Sequence, residues 1–152
     1  MSLRRNLRLL FAWAAIGAAH AAWPQQPFDL DQNFRTHIDS WYVSSVLPLP
    51  DGKVLASGQM GFSGELNNKT LVRLLPDGQR DETFNNSALG QGKITPWTEG
   101  AFYVATSQQV RRILPDGTQD PTFIEMNSDP LFSSLQGGDY YVYPDGRVLM
   151  SG

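Results

Sequence analysis

The chain has 152 residues, 12 basic and 15 acidic side chains, no cysteine and a hydrophobic content of 41%. This apolar content is ordinary for one folded domain, and the net charge of −3 argues against a nucleic-acid binder, which would carry a clustered basic face. The absence of cysteine excludes disulfides, thiolate nucleophiles and cysteine-bound metal centres.

The N-terminal residues have the three parts of a secretory signal peptide. Three arginines form a basic head, an apolar run fills residues 9–19, and Ala19 and Ala21 provide the small residues before a cleavage site. The run is too short to span a bilayer, which needs about 20 residues. We therefore expect a signal helix at residues 1–21, a linker at residues 22–29 and no stable membrane span after cleavage. The protein is predicted to be secreted, extracellular or at the cell surface, with the periplasm as an alternative.

Two segments after the linker each occur twice, and every copy contains the tripeptide PDG. LPDGKVLASG at residues 49–58 returns as YPDGRVLMSG at residues 143–152. LVRLLPDGQRDETF at residues 71–84 returns as QVRRILPDGTQDPTF at residues 109–123, and LDQNF at residues 30–34 repeats the close of this segment. This alternation indicates tandem copies of a unit built from two hairpins.

A tight turn with glycine at its last corner is expected in every unit. Gly52 and Gly146 end PDG turns, and Gly100 supplies the corresponding glycine in the second unit, after Thr98 and Glu99. Proline presets a negative φ at the first corner, aspartate bonds back to the backbone, and glycine adopts a positive φ without strain. We expect Thr98 and Glu99 to occupy right-handed corners and Gly100 the left-handed one.

The segments around these turns are short and rich in β-forming residues, and many have consecutive apolar positions, which are typical of strands covered on both faces. The predicted strands are residues 43–49, 54–57, 71–75, 102–106, 110–114, 140–143 and 148–151.

A unit of about 40–50 residues matches a four-stranded propeller blade. The fold class is therefore predicted as all-β, an incomplete β-propeller of about two and a half antiparallel blades. Within residues 30–152, unit one is predicted at 34–84, unit two at 84–123 and a partial unit three at 124–152. Because about four blades are needed to close a ring, we expect a piece of a longer protein, or a protomer whose missing blades come from another chain.

These segments resemble the delta-60 repeat of exported bacterial proteins, which is thought to form β-propellers. The resemblance rests on Asp51-Gly52-Lys53, Arg73-Leu74, Asp77-Gly78, Asp81 and Phe84 in unit one, and on Arg112-Ile113, Asp116-Gly117, Asp120 and Phe123 in unit two. Leu75 and Leu114 depart from it, because the family usually has asparagine there. The resemblance implies the fold and no particular activity.

The most regular candidate site residues are Asp31, Asp81 and Asp120, which lie three positions before a phenylalanine, and Arg73 and Arg112, which precede a turn glycine. They could face a ligand around a channel. Alternatively, they form a structural lock in each blade, with arginine paired to aspartate. Repetition in every unit favours the structural interpretation, because a ligand site normally breaks such symmetry.

Unrepeated segments are the other candidates. Residues 59–69 form an insertion that is either an exposed recognition loop or a cover for a blade edge. Trp41, Tyr42 and Trp97 are candidates for stacking on sugar rings, although aromatic residues more often pack in cores and interfaces.

No catalytic constellation is visible, and His37 is the only histidine after the signal segment. We therefore predict no catalytic, cofactor-binding or metal-binding residues. The predicted function is a non-enzymatic binding or surface-structural scaffold, with an unknown protein or an extracellular glycan as its partner. The alternative is an exported carbohydrate-active enzyme of the glycosidase or lyase type, with its catalytic residues outside or between these blades.

Overall fold

A computed structural model describes residues 30–85, 90–106, 108–124 and 139–151. The described residues from position 31 onward belong to one compact unit, Asp31–Gly152. The predicted signal helix and the predicted linker lie outside the described residues. Among the residues that are described, no helix is long and apolar enough to cross a membrane.

Three antiparallel sheets follow one another along the chain, which confirms the all-β prediction. The first sheet has the order β1-β2-β3, the second β4-β5-β6 and the third β7-β8. The strands are β1 (Ile38–Pro48), β2 (Val54–Phe62), β3 (Lys69–Leu74), β4 (Ile94–Pro96), β5 (Phe102–Ala105), β6 (Val110–Ile113), β7 (Tyr140–Val142) and β8 (Val148–Met150).

The strands differ from the predicted ones chiefly in the first sheet and in one added strand, and β3 begins two residues earlier than predicted. β4 was not predicted, and β1 and β2 both extend beyond their predicted ends because they pair with each other from Ile38 to Phe62. The fourth strand expected of each blade is reduced to an isolated bridge, between Leu74 and Arg80 in the first sheet and between Ile113 and Gln119 in the second.

The first turn of each unit is closed by the same backbone bond. The N–H groups of Leu49, Trp97 and Tyr143 each donate to a carbonyl four residues later, at 2.8 Å. The three turn glycines have φ values of 82°, 79° and 85°, as predicted. Each of the three turns also joins the first two strands of its sheet, β1–β2, β4–β5 and β7–β8, so they are the same corner of successive sheets.

The prediction for Glu99 was wrong. Glu99 has φ 55° and ψ 27°, so it lies in the left-handed region instead of a right-handed corner. Proline no longer fixes the first corner of this turn. Its inner bond runs from Ala101 N–H to the Thr98 carbonyl, at 3.1 Å, whereas in the first PDG turn the inner bond runs from Gly52 N–H to the Leu49 carbonyl, at 3.0 Å. A left-handed conformation costs a non-glycine residue about 1–2 kcal/mol.

The second turn of each sheet receives the closing segment of the preceding unit. The N–H of Arg35 donates to the carbonyl of Asp77, and the N–H of Asn85 donates to that of Asp116, both at 2.8 Å. The glycine beside each of these aspartates has a positive φ and touches the incoming backbone. The first and second sheets are therefore each fastened by main-chain contact to the closing segment that precedes them.

Apolar clusters fill the spaces between successive sheets. The cluster between the first and second sheets consists of Leu55, Leu71, Phe84, Ile94, Phe102, Val104 and Ile113. The cluster between the second and third sheets consists of Tyr103, Ala105, Val110 and Tyr140, with Phe123 packed against it. The third cluster lies on the other side of the first sheet and consists of Ala56, Met60, Phe62, Val72 and Leu74, with Phe34 packed against it. Each closing segment thus contributes its phenylalanine to one cluster.

Replacing Gly117 by alanine is expected to destabilise the fold more than replacing Gly64. Both glycines have a positive φ, 91° and 85°, so both substitutions carry the left-handed penalty of about 1–2 kcal/mol. Only at Gly117 would the new Cβ overlap the carbonyl of Asn85, whereas the space around Gly64 is open. Chemical denaturation measures both free energies of unfolding. Equal losses would contradict the close docking at Gly117.

Candidate functional site

The best-defined polar cluster in the first unit surrounds Asp81, and we call it the arginine–aspartate lock. Arg73 Nε donates to Asp81 Oδ2 at 2.9 Å, and Lys53 Nζ lies 3.1 Å from the same oxygen. Thr83 donates to Asp81 Oδ1 through its hydroxyl at 2.5 Å and its backbone N–H at 3.0 Å. Arg73 also donates to the carbonyl of Pro115 in the next unit, at 2.7 Å. One guanidinium therefore connects two units.

The second unit contains the same lock. Arg112 Nε donates to Asp120 Oδ2 at 2.7 Å. The hydroxyl and N–H of Thr122 donate to Asp120 Oδ1 at 2.7 and 2.8 Å. The guanidinium carbon lies 5.2 Å from the centre of the Phe123 ring, just as Arg73 lies 4.8 Å from that of Phe84. The repeated spacing in the sequence thus predicted a repeated geometry.

The lock aspartates are almost buried and remain charged. Asp81 is 6% exposed and Asp120 is 9% exposed. The hydroxyl of Thr83, followed by Lys53 and Arg73, lowers the pKa of Asp81 against the opposing effect of burial. The hydroxyl of Thr122, with smaller help from Arg112, lowers the pKa of Asp120 in the same way. Such ionised, fully bonded carboxylates are poor candidates for proton transfer.

Asp31 makes the turn hydrogen bonds of the lock aspartates but lies on the surface. Its side chain accepts the N–H of Asn33 at 2.9 Å, and its carbonyl accepts the N–H of Phe34 at 3.2 Å. Asp31 is exposed, unlike Asp81 and Asp120. The three aspartates therefore occupy equivalent turns and do not come together as one ring of carboxylates at a single site.

The insertion at residues 59–69 is divided between the sheet and an exposed connection at residues 63–68. Met60 and Phe62 belong to β2 and are buried, at 0% and 8% exposure, so the recognition interpretation was wrong for these two residues. Leu66 is fully exposed at the tip. Beside it, a hydrogen bond from Arg80 lowers the pKa of Glu65. Sequence could not reveal this division, because it depends on the length of the β1–β2 pairing.

The candidate aromatic residues occupy different environments. Trp97 packs edge-on against Tyr103, with ring centres 5.5 Å apart, and is half-buried between the second and third sheets. Tyr42 is 48% exposed on β1. Trp41 lies in β1 opposite Met60, and its side chain lies outside the described part of the structure. His37 is exposed just before β1.

Tyr140 fastens the third sheet to the second. Its single hydroxyl proton is shared between the carbonyls of Tyr103 and Lys93, at 3.0 and 3.1 Å. Burial raises the pKa of Tyr140 to about 12, so the phenol stays protonated and keeps this shared bond at any physiological pH. In the sequence, Tyr140 is marked only by its position in the predicted strand 140–143.

A cavity of about 230 Å³ lies where the first sheet packs against the second, and it is lined by Leu55, Arg73 and Phe102 among others. Where the second sheet packs against the third, Tyr103 stands at the position of Leu55, and its hydroxyl donates to the Gly146 carbonyl at 3.2 Å. The two sheet-to-sheet contacts therefore differ at this position. A larger cavity of about 600 Å³ lies beside Phe123, Val148 and Met150. Within the described ranges, no three histidine or acidic side chains are grouped closely enough to hold a metal ion.

The sheets, turns and locks together define a β-propeller-type repeat protein. Residues 49–84 and 100–123 match the family model of a β-propeller domain of unknown function, DUF5122. The two matched segments contain the two complete locks, each with its arginine, aspartate and phenylalanine. No curated protein matches the chain. The comparison therefore supports the fold and supplies no activity.

Replacing Asp81 by asparagine is expected to lower the free energy of unfolding by about 2 kcal/mol at neutral pH, the scale of a hydrogen bond to a charged group. The folded-state pKa of Asp81 lies below its unfolded value. Ionised Asp81 therefore stabilises the fold above about pH 4, and this stabilisation is lost as the pH falls through the folded-state pKa.

Denaturation curves at pH 7 and pH 3 measure this effect, and the difference between wild type and variant should shrink at pH 3. Asp77→Asn is the matched control, because Asp77 accepts the N–H of Gln79 at 3.0 Å and asparagine can accept the same bond. A loss at Asp77 equal to that at Asp81 would contradict the lock.

Proposed function

We propose that the protein is a secreted, non-enzymatic scaffold with a binding or surface-structural role. The observation that carries this proposal is the use of the repeated charged groups. Asp81 and Asp120 are saturated by arginine and threonine donors, and the arginine of the first unit reaches on to the second. The arginines and aspartates that recur in the sequence thus have a structural role within and between units.

The secretion part of the proposal rests on the sequence. The basic head, short apolar run and small residues before position 22 favour export. The resemblance to the delta-60 repeat of exported bacterial proteins points in the same direction. A cysteine-free domain that is stabilised by packing and ion pairs suits a compartment outside the cell as well as one inside it.

The proposed partner is an unknown protein or an extracellular glycan. Unrepeated, exposed side chains are the places to seek it, and Tyr42 and Leu66 are the clearest ones, at 48% and 102% exposure. An exposed tyrosine ring offers an apolar face to a sugar and a hydroxyl to its polar groups.

The competing idea of a carbohydrate-active enzyme requires two carboxylates about 5–10 Å apart, one of them able to give a proton. The lock aspartates do not fit that need, since the pKa of each is lowered by its donors. This argument supports the scaffold over the enzyme.

Export is tested by producing the full chain in a bacterial host and sequencing the N-terminus of the exported protein. We expect the mature chain to begin at Ala22. Ala21→Arg should block cleavage, because the peptidase requires a small residue there. His20→Ala is the control, because it alters a position that is not read. An intact N-terminus on wild-type protein in the cytoplasm would contradict secretion.

Glycan binding is tested with soluble polysaccharides and the variant Tyr42→Ala. Loss of one stacking contact should weaken binding about tenfold, whereas Tyr42→Phe keeps the ring and should bind nearly as wild type does. Equal binding by all three proteins would remove Tyr42 from the site. Release of reducing sugar by the wild type would overturn the non-enzymatic assignment.

A further inference from the structure

The two sheet-to-sheet contacts of the chain share their backbone turns but differ in two side chains. We call the packing of the first sheet against the second the first contact, and that of the second sheet against the third the second contact. Leu49 and Trp97 both donate the N–H that closes the first turn of their unit. Leu55 and Tyr103 both lie three residues after the glycine of that turn. The first contact therefore has two leucines where the second contact has two aromatic rings.

In the second contact, Trp97 and Tyr103 fill the space beside the turn of the third sheet. Their ring centres are 5.5 Å apart in an edge-on arrangement, and Tyr103 is fully buried. The Tyr103 hydroxyl donates to the carbonyl of Gly146, at 3.2 Å, and Nη1 of Arg112 lies 3.5 Å from the same hydroxyl. A phenol with a carbonyl acceptor and a neighbouring guanidinium thus completes this contact.

The first contact keeps the two polar groups but has no phenol between them. Arg73 and Gly100 occupy the positions that Arg112 and Gly146 hold in the second contact, as the strand pairings and the turn conformations show. Both line the cavity of about 230 Å³. Its other lining residues are mostly apolar and include Leu49, Leu55 and Phe102. These equivalent surroundings place the cavity where the second contact holds the ring of a tyrosine.

We infer that this cavity binds a small monocyclic phenol. Its volume is sufficient, because an apolar cavity of about 150 Å³ holds benzene in another protein. Drug-sized ligands need about 300–1,000 Å³, so a single ring is the size that fits. The hydroxyl of the ligand donates to the carbonyl of Gly100, and the guanidinium of Arg73 donates to the hydroxyl oxygen. The ring packs against the apolar side chains that line the cavity.

The guanidinium of Arg73 can serve the ligand and the arginine–aspartate lock together. Its Nε donates to Asp81, and its Nη1 donates to the carbonyl of Pro115. Each terminal nitrogen of a guanidinium carries two hydrogens, so Nη1 has a second hydrogen for an incoming oxygen. The inference goes beyond the proposed scaffold role, because it assigns a small-molecule ligand to a contact inside the chain. Export and glycan binding do not depend on it.

The probe is p-cresol, which is the side chain of tyrosine without its backbone. Titration of the full chain with p-cresol is expected to shift the backbone amide resonances of residues that line the cavity, such as Leu55, Gly100 and Phe102. Gly64 does not line it, and its resonance should not move. Toluene lacks only the hydroxyl and should bind about fivefold more weakly, the effect of one lost hydrogen bond. No shifts with p-cresol, or equal binding of toluene at these residues, would overturn the phenol site.

The variant Leu55→Tyr gives the first contact the side chain that the second contact already has. The new ring should fill the cavity, so the affinity for p-cresol is expected to fall about tenfold or more, and the melting temperature should not decrease. Leu66→Tyr is the matched control, because it adds the same ring at a fully exposed position and should bind p-cresol as the wild type does. Unchanged binding by a folded Leu55→Tyr protein would contradict the inference.

Leu49→Trp is the second variant, and it copies Trp97 instead of Tyr103. Leu49 is only half-buried at the cavity, so this change makes a smaller demand on core packing than a change at Leu55. It is also expected to weaken the binding of p-cresol. Circular dichroism verifies that each variant is folded, and Leu49→Trp decides the question if Leu55→Tyr does not fold. Binding that survives in a folded Leu49→Trp protein would show that p-cresol binds elsewhere.

Discussion

The structure depends on one backbone contact, in which the residue after Phe34 or Phe84 donates its N–H to a turn of the sheet that follows. The acceptor is the carbonyl of the aspartate in a PDG turn, Asp77 or Asp116. The approach leaves no room for a side chain at the following glycine, and the turn also demands a positive φ there. Two independent constraints therefore select glycine, and the contact at Gly117 joins the first unit to the second sheet.

The arginine–aspartate lock stabilises the segment that makes this contact. A nearly buried carboxylate is costly unless its oxygens are bonded, and Asp81 receives donors from Arg73, Lys53 and Thr83. The same arginine covers the ring of Phe84, so charge and apolar packing are satisfied by one side chain. The closing segment that carries Asp81 and Phe84 is therefore held by both charge and apolar packing where it meets the second sheet.

The turn glycines could be predicted from local backbone chemistry, whereas a short strand, the burial of two side chains and one turn corner could not. Gly100 was assigned to its turn although its neighbours had changed, because only the glycine position demands a positive φ. The strand Ile94–Pro96 is too short and ends in proline, so no periodicity marks it. Burial of Met60 and Phe62 follows from the extended β1–β2 pairing, which passes through bulges. The left-handed Glu99 shows that a turn can keep its glycine and still change its other corner.

Burial of an apolar position in this repeat depends on what packs against its sheet and not on its local sequence alone. Leu55, Tyr103 and Leu149 each lie three residues after a turn glycine, yet the first two are buried and Leu149 is 59% exposed. Val46 and Ile94 pair with equivalent residues of the following strand, and of the two only Ile94 is buried. Local chemistry therefore determines the turns and the locks of each unit, whereas tertiary packing determines which of the equivalent apolar side chains are buried.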